Sequence, residues 1–152
     1  MQNNNSKLDI DKLQLASYQK RILSFIIDDF VITFLMFLIF WNQINSTNSV
    51  EEAIFIINNA VLDILILKFL YQAFFIWQYG ATLGKFFTKT KVIDYDHFGK
   101  VSLKSAIIRS IARIISGLFF YIGFLISYFN SGRQTFHDKI AKTLVVNDYT
   151  RT

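Results

Sequence analysis

The stretch KRILSFIIDDFVITFLMFLIFW, Lys20 to Trp41, decides the fold class, because it joins a membrane-spanning length of apolar side chains to two adjacent aspartates. Ile22 to Trp41 is 20 residues, 16 of them apolar. At ~1.5 Å per residue, a helix of that length crosses a ~30 Å hydrocarbon core. Each Leu, Ile, Phe or Val contributes roughly −0.3 to −0.6 kcal/mol to insertion, against roughly 2.5 to 3.5 for an aspartate at the helix centre. Asp28 and Asp29 lie about two turns from Arg21, away from the centre, so the balance favours insertion.

Composition agrees. Of 152 residues, 53% are apolar and 18% charged, whereas a soluble domain carries about a quarter charged. The apolar residues fall in blocks, which suits a bilayer as solvent. The absence of Cys excludes disulfides, thiolate metal sites and thiol catalysis. Residues 1–17 read as a polar cytoplasmic tail, with no apolar core and cleavage site of a signal peptide. The net charge of +5 comes from basic residues flanking the apolar blocks, an arrangement of membrane topology rather than nucleic-acid binding.

The loop NQINSTNSVEE (Asn42 to Glu52) carries no Lys or Arg. A second apolar block runs from Ala53 to Tyr79, interrupted by Asn58, Asn59, Asp63 and Lys68, and closes at Gly80, a natural C′ residue. Beyond it, Lys85, Lys89, Lys91, Lys100 and Lys104 mark a cytoplasmic loop under the positive-inside rule. With the N-terminus on the same side, the spans fall at about 22–41 and 53–79. The third block, about 102–130, either spans or re-enters. A single crossing would place Arg133, Lys139 and Lys142 outside, against the charge rule. TKVID (Thr90 to Asp94) and TLVV (Thr143 to Val146) read as short strands that need a partner. Pairing them makes a small cytoplasmic β element and requires the third block to return. Ser102 can cap its first helix, on which Ser102, Ser105, Arg109 and Arg113 form a polar stripe.

Three pieces in this order, RILSFIID (Arg21, Asp28), GATLGKFFTKTKVIDYDHFGKVSLKSAIIRSIAR and FNSGRQTFHDKIAKTLVV, resemble the RDD family of small multi-pass membrane proteins. The resemblance covers about 18–146, leaving 147–152 as a tail. It implies an all-α membrane protein, a helical bundle with two full spans, a third re-entrant or spanning segment, and the small β element, in a bacterial inner membrane. It also implies that Arg21, Asp28 and Asp138 are the family's arginine and two aspartates, and that the function is transport of monovalent cations coupled to protons. Asp29, Asp63, Lys68 and Gly117 depart from the family pattern.

The residues themselves place the ion or proton site at Asp28 and Asp29, with Lys68, Arg109 and Arg113 as pairing partners. By depth, Lys68 is within reach of the aspartates, and the two aspartates point about 100° apart. Arg21 either snorkels to the lipid headgroups or pairs with Asp138, which is expected on the same cytoplasmic side. Intramembrane acids are commonly paired or functional. A bundle of two spans offers little wall for a pathway, so a homo-oligomer or another membrane protein is the expected partner, along with the lipid bilayer. The rival reading is a non-transporting scaffold held together by intramembrane ion pairs. No enzyme, cofactor or metal is expected. GATLGK lacks the spacing of a phosphate loop, DYDH (Asp94 to His97) reads as a turn, and the two His fall in loops with no assembled triad.

Overall fold

The computed structural model describes residues 14–118 and 133–148. Helix α1 (Tyr18–Asn45) starts where the Ser17 side chain accepts the Lys20 N–H. Its buried residues, Arg21, Ser24, Asp28, Ile32 and Met36, form one stripe at helical spacing. The remaining faces expose Phe30, Phe34, Leu38 and Ile39. In water so continuous an apolar surface is unfavourable; against lipid tails it carries no penalty. α1 is long and apolar enough to cross a membrane.

The second apolar block differs from the single helix expected over 53–79. It is two helices, α2 (Val50–Asn59) and α3 (Val61–Tyr79), meeting at Ala60. The Ala60 N–H bonds the Ile56 carbonyl and the Ile64 N–H bonds the Ala60 carbonyl, so hydrogen bonding continues through the bend. Asn58 and Asn59, weak helix formers whose side chains compete for backbone groups, stand at the bend. Ala60 packs with Ile32, Met36 and Tyr71. α3 alone is long and apolar enough to cross a membrane.

Gly80 ends α3 with φ of 67°, in the left-handed region that glycine enters without cost. Its carbonyl accepts the Val92 N–H, tying α3 to the sheet. The short helix α4 (Leu83–Phe87) follows, capped by Thr82. Strands β1 (Thr90–Asp94) and β2 (Thr143–Asn147) pair antiparallel, with Val92 opposite Val145 and Ile93 opposite Leu144. The pleat sends Val92 and Val145 against Ile76, Val101 and Ala106, and Ile93, Leu144 and Val146 against Leu15, Tyr95 and Phe98. Residues 14–16, expected in the polar tail, lie on the other edge of β2: Ala16 N–H bonds Val145 O, and Asn147 N–H bonds Gln14 O. The DYDH turn forms as expected, with the Asp94 carboxylate accepting the N–H groups of Asp96 and His97.

Helix α5 (Leu103–Leu118) begins under the Ser102 hydroxyl, which accepts the Ser105 N–H. It buries Ala106, Arg109, Ser110 and Ala112 while exposing Ile111 and Ile115, so the polar and small face is the inner one. Helix α6 (Phe136–Ile140) precedes β2. The return arm expected within 102–130 lies outside the described residues.

Candidate functional site

The charged side chains on α1, α3, α5 and α6 gather into three centres. The innermost surrounds Asp138, which is completely buried. Thr135 and Asp138 form a capping box at the start of α6: Asp138 accepts both the N–H and the hydroxyl of Thr135, at 3.0 and 2.8 Å. The same oxygen, Oδ2, also takes Arg21 of α1 at 2.9 Å, and Oδ1 takes Arg109 of α5. Arg109 also donates to the Thr143 hydroxyl at 2.7 Å, and Arg21 to the Val145 carbonyl at 3.2 Å. One carboxylate therefore joins α1, α5, the capping turn and the sheet. Burial works against ionisation of Asp138, but Arg109, Arg21 and the Thr135 N–H outweigh it and hold the carboxyl well below the usual range. Burial drives the neighbouring His137 well below its ordinary value, so its imidazole is neutral at physiological pH.

The second centre is Asp28, 2% exposed. One oxygen accepts Tyr71 Oη at 2.7 Å and the Gly84 N–H at 2.8 Å. The other accepts the Thr82 hydroxyl at 2.7 Å and faces Arg113 at 3.7 Å. Tyr71 Oη in turn accepts the Leu83 N–H at 3.0 Å, so α4 is stitched to α1 through one phenol and one carboxylate. The close approach depends on Gly84: a Cβ there would overlap the Ser24 carbonyl of α1. Tyr71→Phe removes a donor to a charged group and strands the Leu83 N–H. It is expected to cost about 1.5–3 kcal/mol and to lower Tm in detergent by roughly 4–10 °C; a change within a degree would mean that Asp28 is held by its other partners alone.

The third centre is Asp29 with Lys68, paired at 2.6 Å, their side chains 42% and 33% exposed. The pair sits at a cavity of about 220 Å³ that Asp28, Gln72, Ser110 and Arg113 also line. Gln72 is buried, and its Oε1 has no hydrogen-bond partner among the described residues. The Arg113 guanidinium lies 4.9 Å over the Phe25 ring at the same cavity.

The sequence-derived pairings are thus redistributed. Arg21 meets Asp138, and Lys68 meets Asp29, as depth and side suggested. Arg113 faces Asp28, but Arg109 joins Asp138 and contacts neither Asp28 nor Asp29. The reason is axial: Arg109 and Arg113 share one face of α5, but Arg109 is a turn nearer to the sheet end, level with Arg21 rather than with Asp28. Asp28 and Asp29 diverge as their 100° separation requires, one into the protein and one to the cavity edge. Tyr71, Thr82, Gly84 and Thr135 were missed as partners, although T-x-x-D at Thr135 is a readable capping signal. Among the described residues no group of three or more metal-ligating side chains occurs.

A family model described as "RDD family" matches residues 15–142. An uncharacterized protein of Rickettsia prowazekii (strain Madrid E) is 38% identical over 71 residues, 46% of this chain and 39% of that protein. A "Proline-rich antigen homolog" of Mycobacterium tuberculosis (strain ATCC 25618 / H37Rv) is 28% identical over 81 residues, 49% of this chain and 34% of that protein. The matched region therefore spans less than half the length of either relative. No solved structure matches.

Proposed function

The chain belongs to the RDD family, and from that premise we propose that it is a multi-pass membrane protein in which the cavity edged by Asp29 and Lys68 exchanges a monovalent cation for a proton. The observation that carries this reading is the contrast between neighbouring aspartates: Asp28 is buried and fully bonded, whereas Asp29 is half-exposed at a cavity with one detachable lysine. Lys68 swings away, the Asp29 carboxylate takes sodium, potassium or lithium with help from Gln72 Oε1, and a proton later displaces the cation. Each cycle moves one cation against one proton, so it is electroneutral.

Two apolar helices and the antiparallel β1–β2 pair support the topology. The strands bring 90–94 and 143–147 to one side, which favours re-entry of the third block and, with the positive-inside rule, supports a cytoplasmic side for the lysine-rich loops. Exposed intramembrane charge at Asp29 and Lys68 calls for cover, which a second copy of the chain supplies. The scaffold reading has its own support in the saturated bonding of Asp28.

Cation-driven proton flux in proteoliposomes separates the two. Asp29→Asn is expected to lower flux at least 10-fold while the fold persists, because it keeps shape and removes the exchangeable charge. An unchanged flux in Asp29→Asn would remove the site from the mechanism. No flux from wild type with any of the three cations would leave the scaffold.

A further inference from the structure

Between the Asp138 and Asp28 centres lies a second cavity, of about 10 Å³, lined among others by Arg21, Lys85, Arg109, Arg113 and Asp138. We propose that this cavity binds a monatomic anion, chloride under cellular conditions, held by the buried cations of α1, α4 and α5. The proposal is independent of cation exchange at Asp29.

Charge is the first argument. Four basic side chains, Arg21, Lys85, Arg109 and Arg113, share this region with two carboxylates, Asp28 and Asp138. Lys68 and Asp29 neutralise each other elsewhere. The excess cationic charge is buried, and buried charge without a counterion is strongly unfavourable. Lys85 is 4% exposed, and no carboxylate among the described residues lies within ion-pair distance of it.

Donors are the second. Arg21 Nε and Arg109 Nε are buried and have no acceptor among the described residues, and both side chains line the cavity. An N–H in that state forfeits its hydrogen bond unless an acceptor enters. Asp138 bonds neither Nε: its oxygens accept the Arg21 and Arg109 Nη1 groups and Thr135 instead. Size is the third. Some 10 Å³ is room for about one water-sized particle, which favours a monatomic ion, only slightly larger than water, over phosphate, carboxylates and lipid headgroups. A single water offers acceptor lone pairs but no charge; a halide offers both.

Binding is expected to depend on pH through Lys85. Burial, with Arg109 and Arg113, lowers its pKa to about 7, while Asp28 and Asp138 oppose the shift. The charged and titratable groups facing it are Arg21 and Asp28 from α1, Arg109 and Arg113 from α5, and His137 and Asp138 from α6. His137 stays neutral and Asp138 ionised near neutrality, so Lys85 is the group that titrates there. Because its folded pKa lies below the unfolded one, the chloride-free protein gains stability as pH rises from about 7 towards 10.5. An anion beside the ammonium reverses that preference, so chloride binds tighter at pH 6 than at pH 8.5 and carries a proton in when bound at the higher pH.

The test is thermal melting of the full chain in detergent at fixed ionic strength, with gluconate exchanged for chloride. Wild type is expected to gain about 3–5 °C at saturating chloride at pH 6 and less at pH 8.5. Lys85→Met keeps the length and removes the charge, and should lose the chloride increment without a lower Tm in gluconate. A wild type indifferent to chloride, or a Lys85→Met protein with the full increment, overturns the proposal. Should Lys85→Met not fold, anomalous scattering from wild-type crystals in bromide decides. A peak within hydrogen-bonding reach of Lys85 Nζ supports the site, and bromide confined to the outer surface, an adventitious ion only, overturns it.

Discussion

Asp138→Ala is expected to destabilise the protein by about 3–5 kcal/mol, because it leaves buried cations without their counter-charge. Arg21 and Arg109 are 4% and 1% exposed, and both end on this carboxylate. Thr135 loses its box at the same time. Chemical unfolding in detergent, followed by tryptophan fluorescence, measures the loss; a cost under about 1 kcal/mol would mean that solvent or lipid reaches the guanidiniums. The same carboxylate imprints a pH dependence. Its folded pKa lies below the unfolded value, so its contribution is complete above the ordinary carboxylate pKa of about 4 and is lost as pH falls below it. Wild type therefore weakens progressively below about pH 4, and Asp138→Ala flattens that part of the profile. Arg109→Met should cost much less in the Asp138→Ala background than alone, since the two act as one unit.

That centre also marks where sequence reading reaches its limit. Arg21 and Asp138 could be matched because the lysine distribution leads one to expect both on the same side. Lys68 could be matched to the aspartates by depth, since rise per residue is a fixed length. The strands at Thr90 and Thr143, the Gly80 stop and the Ser102 cap were legible for the same reason: each is a local property of a few residues. Arg109 ends on Asp138 rather than on Asp28 or Asp29, because its partner depends on how α5 is set against α1, which no local pattern encodes. The bend at Ala60 carries no Gly or Pro signal, and the edge pairing of residues 14–16 depends on a strand more than a hundred residues away. Asp28 is the clearest case. Its position inside an apolar run announced a buried acid, but its donors, Tyr71, Thr82 and Gly84, sit on segments whose approach only the folded chain defines.

Gly84 lies at the closest of those approaches, and Gly84→Ala is expected to be damaging on a scale comparable to Asp138→Ala. A methyl at Gly84 meets the Ser24 carbonyl oxygen head-on and comes within 2.9 Å of both the Ser24 carbonyl carbon and Asp28 Oδ1. The obstacle is helical backbone in the second turn of α1, so no side-chain rotation can relieve it. Helix α4 has to move off α1, and the Gly84 N–H then leaves Asp28. Overpacking of this kind costs about 1–3 kcal/mol, and loss of a hydrogen bond to a charged acceptor about 1.5–3 more. The displacement also carries Thr82 and the Leu83 N–H away from Asp28 and Tyr71, and shifts Lys85 with them. Gly84→Ala should therefore lower Tm by more than Tyr71→Phe does, and Gly84→Val by more again. Ser24→Ala gives the contrast: it removes only a hydroxyl that donates to the Arg21 carbonyl within α1, leaves the backbone in place, and is expected to cost under about 1.5 kcal/mol. Equal melting of Gly84→Ala and wild type would mean that α1 and α4 are further apart in the membrane than these contacts require, and the account of Asp28 as the link between them would fall with it.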